Sequence, residues 1–186
     1  MRPLLLCAAL AAATLTAAAA PAPAEGAACQ ALTEEDGLQP LPGCALVDGR
    51  LQLTPAALAR LAFDAHGLAA AYAGGSFHYI TRQGRSQAVI TWDNGPDEVE
   101  EGRLRGRVGT RIGYFDATLE PAFAATFDFG WPFREGIAEV CNGCRPGTPD
   151  ADGHVPIEGG THFQIDRRGH RVAPGSADTG APSDHE

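Results

Sequence analysis

Beyond residue 66 the chain carries its apolar residues in short runs that alternate with polar positions and stop at glycines. The stretches "GLAAAYAGGSFHYITRQGR", "SQAVITWDNGPD", "GRLRGRVGTRIGYFDATLE", "GIAEVCNGC" and "GGTHFQIDRRGHRV" all follow this plan. Short β-branched and aromatic runs punctuated by Gly or Asn-Gly predict hairpins in an all-β, antiparallel arrangement. Only "GRLQLTPAALARLAF" reads as helix. There Thr54 can accept a backbone N–H as N-cap, Pro55 suits the first helical position, and Leu58 and Leu61 fall on one face. The expected helix is short, about two turns. Residues 173–186 are small, polar and rich in Pro and Gly, which predicts a disordered tail.

Stacking the hairpins exposes an internal repeat. Phe77-His78-Tyr79-Ile80-Thr81-Arg82-Gln83-Gly84 lies over Ile112-Gly113-Tyr114-Phe115-Asp116-Ala117-Thr118-Leu119 and over His162-Phe163-Gln164-Ile165-Asp166-Arg167-Arg168-Gly169. Each is a strand running into a turn, and ahead of each stands a Gly-led strand: Gly67-Leu68-Ala69, Gly102-Arg103-Leu104 and Gly136-Ile137-Ala138. The second interval is longer because it holds a Cys-x-x-Cys and a loop reaching Gly160. Alternating positions such as Phe77, Tyr79 and Ile112, Tyr114 put large side chains on one sheet face, so each hairpin must bury that face against its neighbour.

This ordered combination resembles the WG-repeat family, whose unit runs as an apolar-Gly-Leu-Ala strand, a Gly-Gly-Lys-Trp-Gly-Tyr-Ile-Asp strand and a turn into an apolar-Pro-Pro stretch. "IGYFDATLEPAFAATFDFGWPFREGIAEVCNGCRPG" is the closest match, "GGTHFQIDRRGHRV" follows the same plan, and the likeness covers residues 63–172. The Trp position of the family is filled by Phe77, Ile112 and His162, and the Gly after it is kept as Gly113. The resemblance implies about three degenerate repeats in a secreted or envelope β-repeat protein, with no agreed catalytic mechanism. It lends architecture more than function.

The N-terminus sets the chemical environment. "MRPLLLCAALAAATLTAAAAPAPAEG" holds Arg2, an uncharged run from Leu4 to Ala20 and an Ala/Pro segment, the pattern of a secretory signal peptide over residues 1–24. The run is alanine-rich and falls short of the roughly 20 apolar residues that a membrane span needs. A lipoprotein anchored through Cys29 is the alternative, although Gly26 stands where an apolar residue belongs. The expected organisation is therefore a leader, an N-terminal segment 25–62 with the short helix, a repeat domain 63–172 and the tail. Net charge is −9, with 23 acidic residues against 14 basic ones, all of them arginine. An acidic chain with no basic run argues against nucleic acid and anionic lipid as partners and leaves a protein or glycan surface. The abundance of Ala, Gly, Arg and Pro fits a G+C-rich bacterial genome.

Loss of the leader removes Cys7 and leaves Cys29, Cys44, Cys141 and Cys144, an even set that favours disulfides in an exported chain. Proximity favours Cys29 with Cys44 and Cys141 with Cys144. If Asn142-Gly143 is the two-residue turn of a hairpin, its flanking cysteines stand about 5.5 Å apart at Cα, within disulfide reach. A redox couple at Cys141 and Cys144 is the alternative, yet no helix start is signalled there to lower a thiol pKa. A zinc site formed by this pair with His154 and His162 or His170 is another, at a spacing shorter than that of the usual zinc finger. Trp92, Trp131 and Phe133 suit core packing, with Trp92 and Trp131 as possible binding aromatics. Asp93, Asp97, Glu98, Glu100 and Glu101 form an acidic cluster that is expected to be solvated, and "PDADGH" reads as an acidic turn. No nucleophile, zinc-protease or phosphate-loop motif stands out. The expected function is that of a non-enzymatic envelope interaction or structural module without a cofactor, with a periplasmic thiol-redox or zinc-binding protein as the alternative.

Overall fold

A computed structural model describes residues 27–92, 94–151 and 154–173. The expected leader and, apart from Ala173, the expected tail lie outside them. Strands β1 (Ala27–Thr33), β2 (Gly37–Val47) and β3 (Arg50–Leu53) precede helix α1 (Pro55–Leu58). Then come β4 (Leu68–Ala73), β5 (Ser76–Thr81), β6 (Ser86–Ala88), β7 (Thr91–Trp92), β8 (Gly95–Pro96), β9 (Leu104–Val108) and β10 (Arg111–Phe115). The rest are β11 (Phe129–Gly130), β12 (Ile137–Asn142), β13 (Arg145–Pro146), β14 (Ile157–Glu158), β15 (Thr161–Asp166) and β16 (Arg171–Val172). Every paired strand is antiparallel, so the all-β expectation holds.

The segment 25–62 holds more than its helix. Strands β1 to β3 join β4 to β6 in one sheet of order β3-β2-β1-β4-β5-β6, which curls until its two edges nearly meet. Pro40 and Pro42 disguise β2 as a loop, because proline donates nothing to a ladder. The ladder accommodates them where its register shifts between Ala28 and Gln30 opposite β2. Cys29 lies at that irregularity and pairs with Cys44, their Cα atoms 5.6 Å apart. Helix α1 is shorter than expected. Thr54 caps it as predicted, its Oγ1 accepting from the Ala57 N–H at 3.2 Å, and Leu61 is buried beyond its end.

The internal repeat is visible in the backbone. The Gly-led strands and their partners pair as β4 with β5, β9 with β10 and β12 with β15. Each second strand ends in the same turn. Thr81 O accepts from Gly84 N at 2.8 Å, Asp116 O from Leu119 N at 2.9 Å, and Asp166 O from Gly169 N at 2.9 Å. Asp116 Oδ1 accepts from the Thr118 and Glu120 N–H groups, and Asp166 Oδ1 accepts likewise from Arg168 and His170. Leu119 takes the place of the turn glycine with φ 61°, a strained value for a side chain of that size. Contacts across units tie them together: Arg85 pairs with Glu120, and Glu101 accepts from the Gly136 N–H at 2.9 Å and from Arg167. The Arg167 guanidinium holds the Glu101 carboxyl below the usual range.

Three apolar clusters follow from this arrangement. Ala69, Ala71, Ala73 and Ile80 face Leu41, Leu51 and the Cys29–Cys44 pair inside the curled sheet. The opposite sides of β4 and β5 send Leu68, Phe77 and Tyr79 against Leu104, Phe115 and Leu119 of the next unit. Tyr114, Phe127, Phe133, Val140 and Ile165 form the third cluster. Full burial of a side chain such as Phe133 or Ile80 contributes about 1.5–3 kcal/mol.

Candidate binding site

Strands β7 and β8 form a very small hairpin whose register pairs Trp92 with Gly95, with Asn94 in the turn at φ 68°. It delivers Trp92 to the surface and, two residues after Gly95, Asp97 to the interior. Asp97 is 2% exposed and Arg105 of β9 is 1% exposed. The Asp97 carboxylate accepts from the Arg105 backbone N–H at 2.6 Å and from its Nε at 3.1 Å, and forms an ion pair with Nη2. Arg105 Nη1 donates to Gly130 O at 3.0 Å, and the Tyr79 hydroxyl donates to Asp97 O at 2.7 Å. Burial pushes the Asp97 carboxyl up against the opposing pull of Arg105. It also pushes the Tyr79 phenol up to about 12, helped by Asp64, Asp97 and Glu98. A buried ion pair holds only when its remaining donors and acceptors are met, and Gly130 O and the Arg105 backbone N–H meet that condition here.

This network carries an aromatic platform. The Arg105 guanidinium carbon lies 4.6 Å from the Trp92 ring centroid, so one face of the indole rests on a fixed cation while the residue as a whole is 44% exposed. Trp92 was expected in the core with Trp131 and Phe133. Phe133 is buried, but Trp92 is not, because the buried Arg105 guanidinium already fills the space beneath its ring. Trp92 lines two clefts. One, of about 500 Å³, is lined by Ile90, Phe129, Val155 and the disulfide residue Cys144, with Arg107 and Arg145 at its polar edge. The other, of about 460 Å³, is lined by Tyr79, Glu98, Glu100 and Arg134. The acidic cluster is therefore split: Asp97 is buried, Glu98 is exposed, Glu101 bridges repeats, and Asp93 lies outside the described residues.

Trp131 is half-buried, its ring 4.8 Å from Phe129 and 5.8 Å from His162. Phe129 thus links the surroundings of the two tryptophans. Gly130, between Phe129 and Trp131, has no room for a side chain, since a Cβ there would lie 2.5 Å from the Tyr114 hydroxyl. That hydroxyl donates to Trp131 O at 2.6 Å, and burial raises its pKa.

The sulfurs of Cys141 and Cys144 are at bonding distance, with Cα atoms 6.1 Å apart. The expected hairpin turn is absent. Strand β12 pairs with β15, and β13 pairs with β14, so the Cys-x-x-Cys spans a bend along one side of a longer hairpin. Gly143 takes φ 76° and Asp128 receives its N–H, while Arg111 bridges Asp128 and the Asn142 side chain. Gly160, between β14 and β15, packs closely against the same bend. Cys141 is buried in a strand. His162 contacts Glu139 at 2.8 Å and Gly159 O at 3.1 Å, His154 lies near Asp150 and His170 near Asp166. Among the described residues no three His, Cys, Asp or Glu side chains gather as a metal site would require, and no helix is long and apolar enough to cross a membrane.

Sequence reasoning did not single out Arg105. "GRLRGRVG" places Arg103, Arg105 and Arg107 two apart, on one face of a strand, where they read as a solvated stripe, so nothing local marks Arg105 as the buried one. No family model matches the chain, and no curated protein or solved structure registers as similar to it.

Proposed function

We propose that this is an exported, non-enzymatic β-repeat protein that works as an interaction module of the cell envelope, with Trp92 at the centre of its contact surface. The observation that carries the reading is the pairing of exposure with rigidity at Trp92, since its ring is open to solvent while its other face rests on buried Arg105. Exposed aromatics held in place are the common anchors of binding surfaces. Export is supported by the two cysteine pairs at bonding distance, which fit an oxidising compartment, and by the leader-like start. The Gly-led meanders would be degenerate members of the WG-repeat type.

Two measurements test this reading. N-terminal sequencing of exported protein should begin near Glu25; an intact Met1 end in the membrane fraction, or lipid on Cys29, would count against it. A panel of envelope glycans and peptides probed with the native protein and with Trp92→Ala should show signals that the variant loses. Identical patterns for the two proteins would remove Trp92 from the function.

A further inference from the structure

Resting on that reading of Trp92, we infer that the cleft beside it binds a carboxylated sugar, such as a hexuronate unit of an acidic polysaccharide. The weakly positive C–H face of a pyranose ring packs on the electron-rich face of an indole, and Trp92 offers such a face already immobilised by Arg105. The floor and walls are Ile90, Phe129, Pro146 and Val155, apolar enough to desolvate a sugar ring, while Thr91 and Thr110 add hydroxyl-bearing side chains to the lining. The volume, about 500 Å³, falls among those that enclose small ligands.

Charge selects an acid. Arg107 and Arg145 line the cleft and are exposed, and neither side chain has an ion-pair or hydrogen-bond partner among the described residues. Two unneutralised guanidinium groups facing one cleft stand out in a chain of net charge −9, and a planar fork of donors suits a carboxylate. The one carboxylate in the lining, Asp128, is already engaged by Arg111 and the Gly143 N–H. An extended peptide is the weaker occupant, because the rim strands β7, β8, β13 and β14 are two residues long and offer no edge for strand addition.

Oligogalacturonate is the probe, followed by tryptophan fluorescence and calorimetry at low ionic strength, beside a neutral galacto-oligosaccharide of equal length and polyaspartate. Saturable binding of the uronate is expected, with little binding of either control. Trp92→Ala and the double variant Arg107→Gln/Arg145→Gln should each weaken it by about tenfold or more, about 1.4 kcal/mol. Both changes are at exposed side chains, and far-UV circular dichroism with the melting temperature verifies the fold. Equal binding of the neutral sugar or of polyaspartate, or uronate affinity unchanged in the double variant, overturns the inference. So does silence toward uronate while the native protein keeps other Trp92-dependent partners, in which case the contact surface survives and its ligand class is wrong. If Trp92→Ala alters no binding of any kind, both readings fall.

Discussion

The hydroxyl of Ser86 joins the two edges of the N-terminal sheet at Leu51: its Oγ accepts from the Leu51 N–H at 2.8 Å and it donates back to Leu51 O at 3.4 Å. Strands β3 and β6 are the sheet's outermost members, so one side chain replaces a backbone ladder at the closure. Ser86→Ala leaves a buried N–H without a partner, which costs about 1–3 kcal/mol. Urea denaturation should show a loss in that range with an unchanged m-value. A shift below about 0.5 kcal/mol, the usual scatter of surface substitutions, would show that water or a relaxed edge replaces the bond.

Asp97 and Arg105 should behave as a unit. Removing either charge strands the other in the interior, so Asp97→Asn or Arg105→Met is expected to lose about 3–5 kcal/mol. The double variant should recover part of that loss, and near-UV circular dichroism should change in all three because Trp92 loses its support. Additive losses in the double variant would mean that the pair is not coupled.

His78 predicts a pH dependence. It is 2% exposed, its Nδ1 has no partner among the described residues, and burial lowers its pKa. Below about pH 6.5 the unfolded chain takes up a proton that the folded chain refuses. Stability should therefore fall as pH drops from about 6.5 toward the lowered folded value. His78→Leu should lack this component, so the stability difference between the two proteins should be flat above neutrality and should move against the native protein on acidification. A difference that stays constant from about pH 7 to 5 would rule out titration of His78.

The two disulfides should differ in worth. Cys29 and Cys44 are 15 residues apart, and in the loop-entropy model such a bridge contributes about 3 kcal/mol. Cys141 and Cys144 are 3 apart and close a far smaller ring. Paired alanine substitutions should lower the melting temperature more for the first than for the second, and the second variant should remain folded because Asp128 and Arg111 still hold the bend. The native protein should titrate with no free thiols after export. Two reactive thiols at Cys141 and Cys144, or one bound zinc with both reduced, would instead favour a redox or metal role.

Local signals were enough for the paired strands β4–β5, β9–β10 and β12–β15 and for the turns that follow β5, β10 and β15, because period-two alternation, Gly-led starts and Asp or Thr at the turn act within a few residues of each other. Phe77, Tyr79 and Tyr114 fell on buried faces for that reason, and Thr54 capped its helix as read. Proximity was also enough to pair the cysteines, since both rings are short. What tertiary structure alone decided depends on distant elements meeting. Strand β2 exists despite its prolines because β1 and β3 flank it. Cys141 and Cys144 sit on a bend and not at a hairpin turn because β15 claims the ladder of β12. Asp97 left its acidic run for the interior because Arg105 and Gly130 O were there to meet it, and Trp92 stayed at the surface because the space beneath it was already filled by that guanidinium. Burial of a charge depends on a partner brought from elsewhere in the chain, and no run of neighbouring residues records that partner.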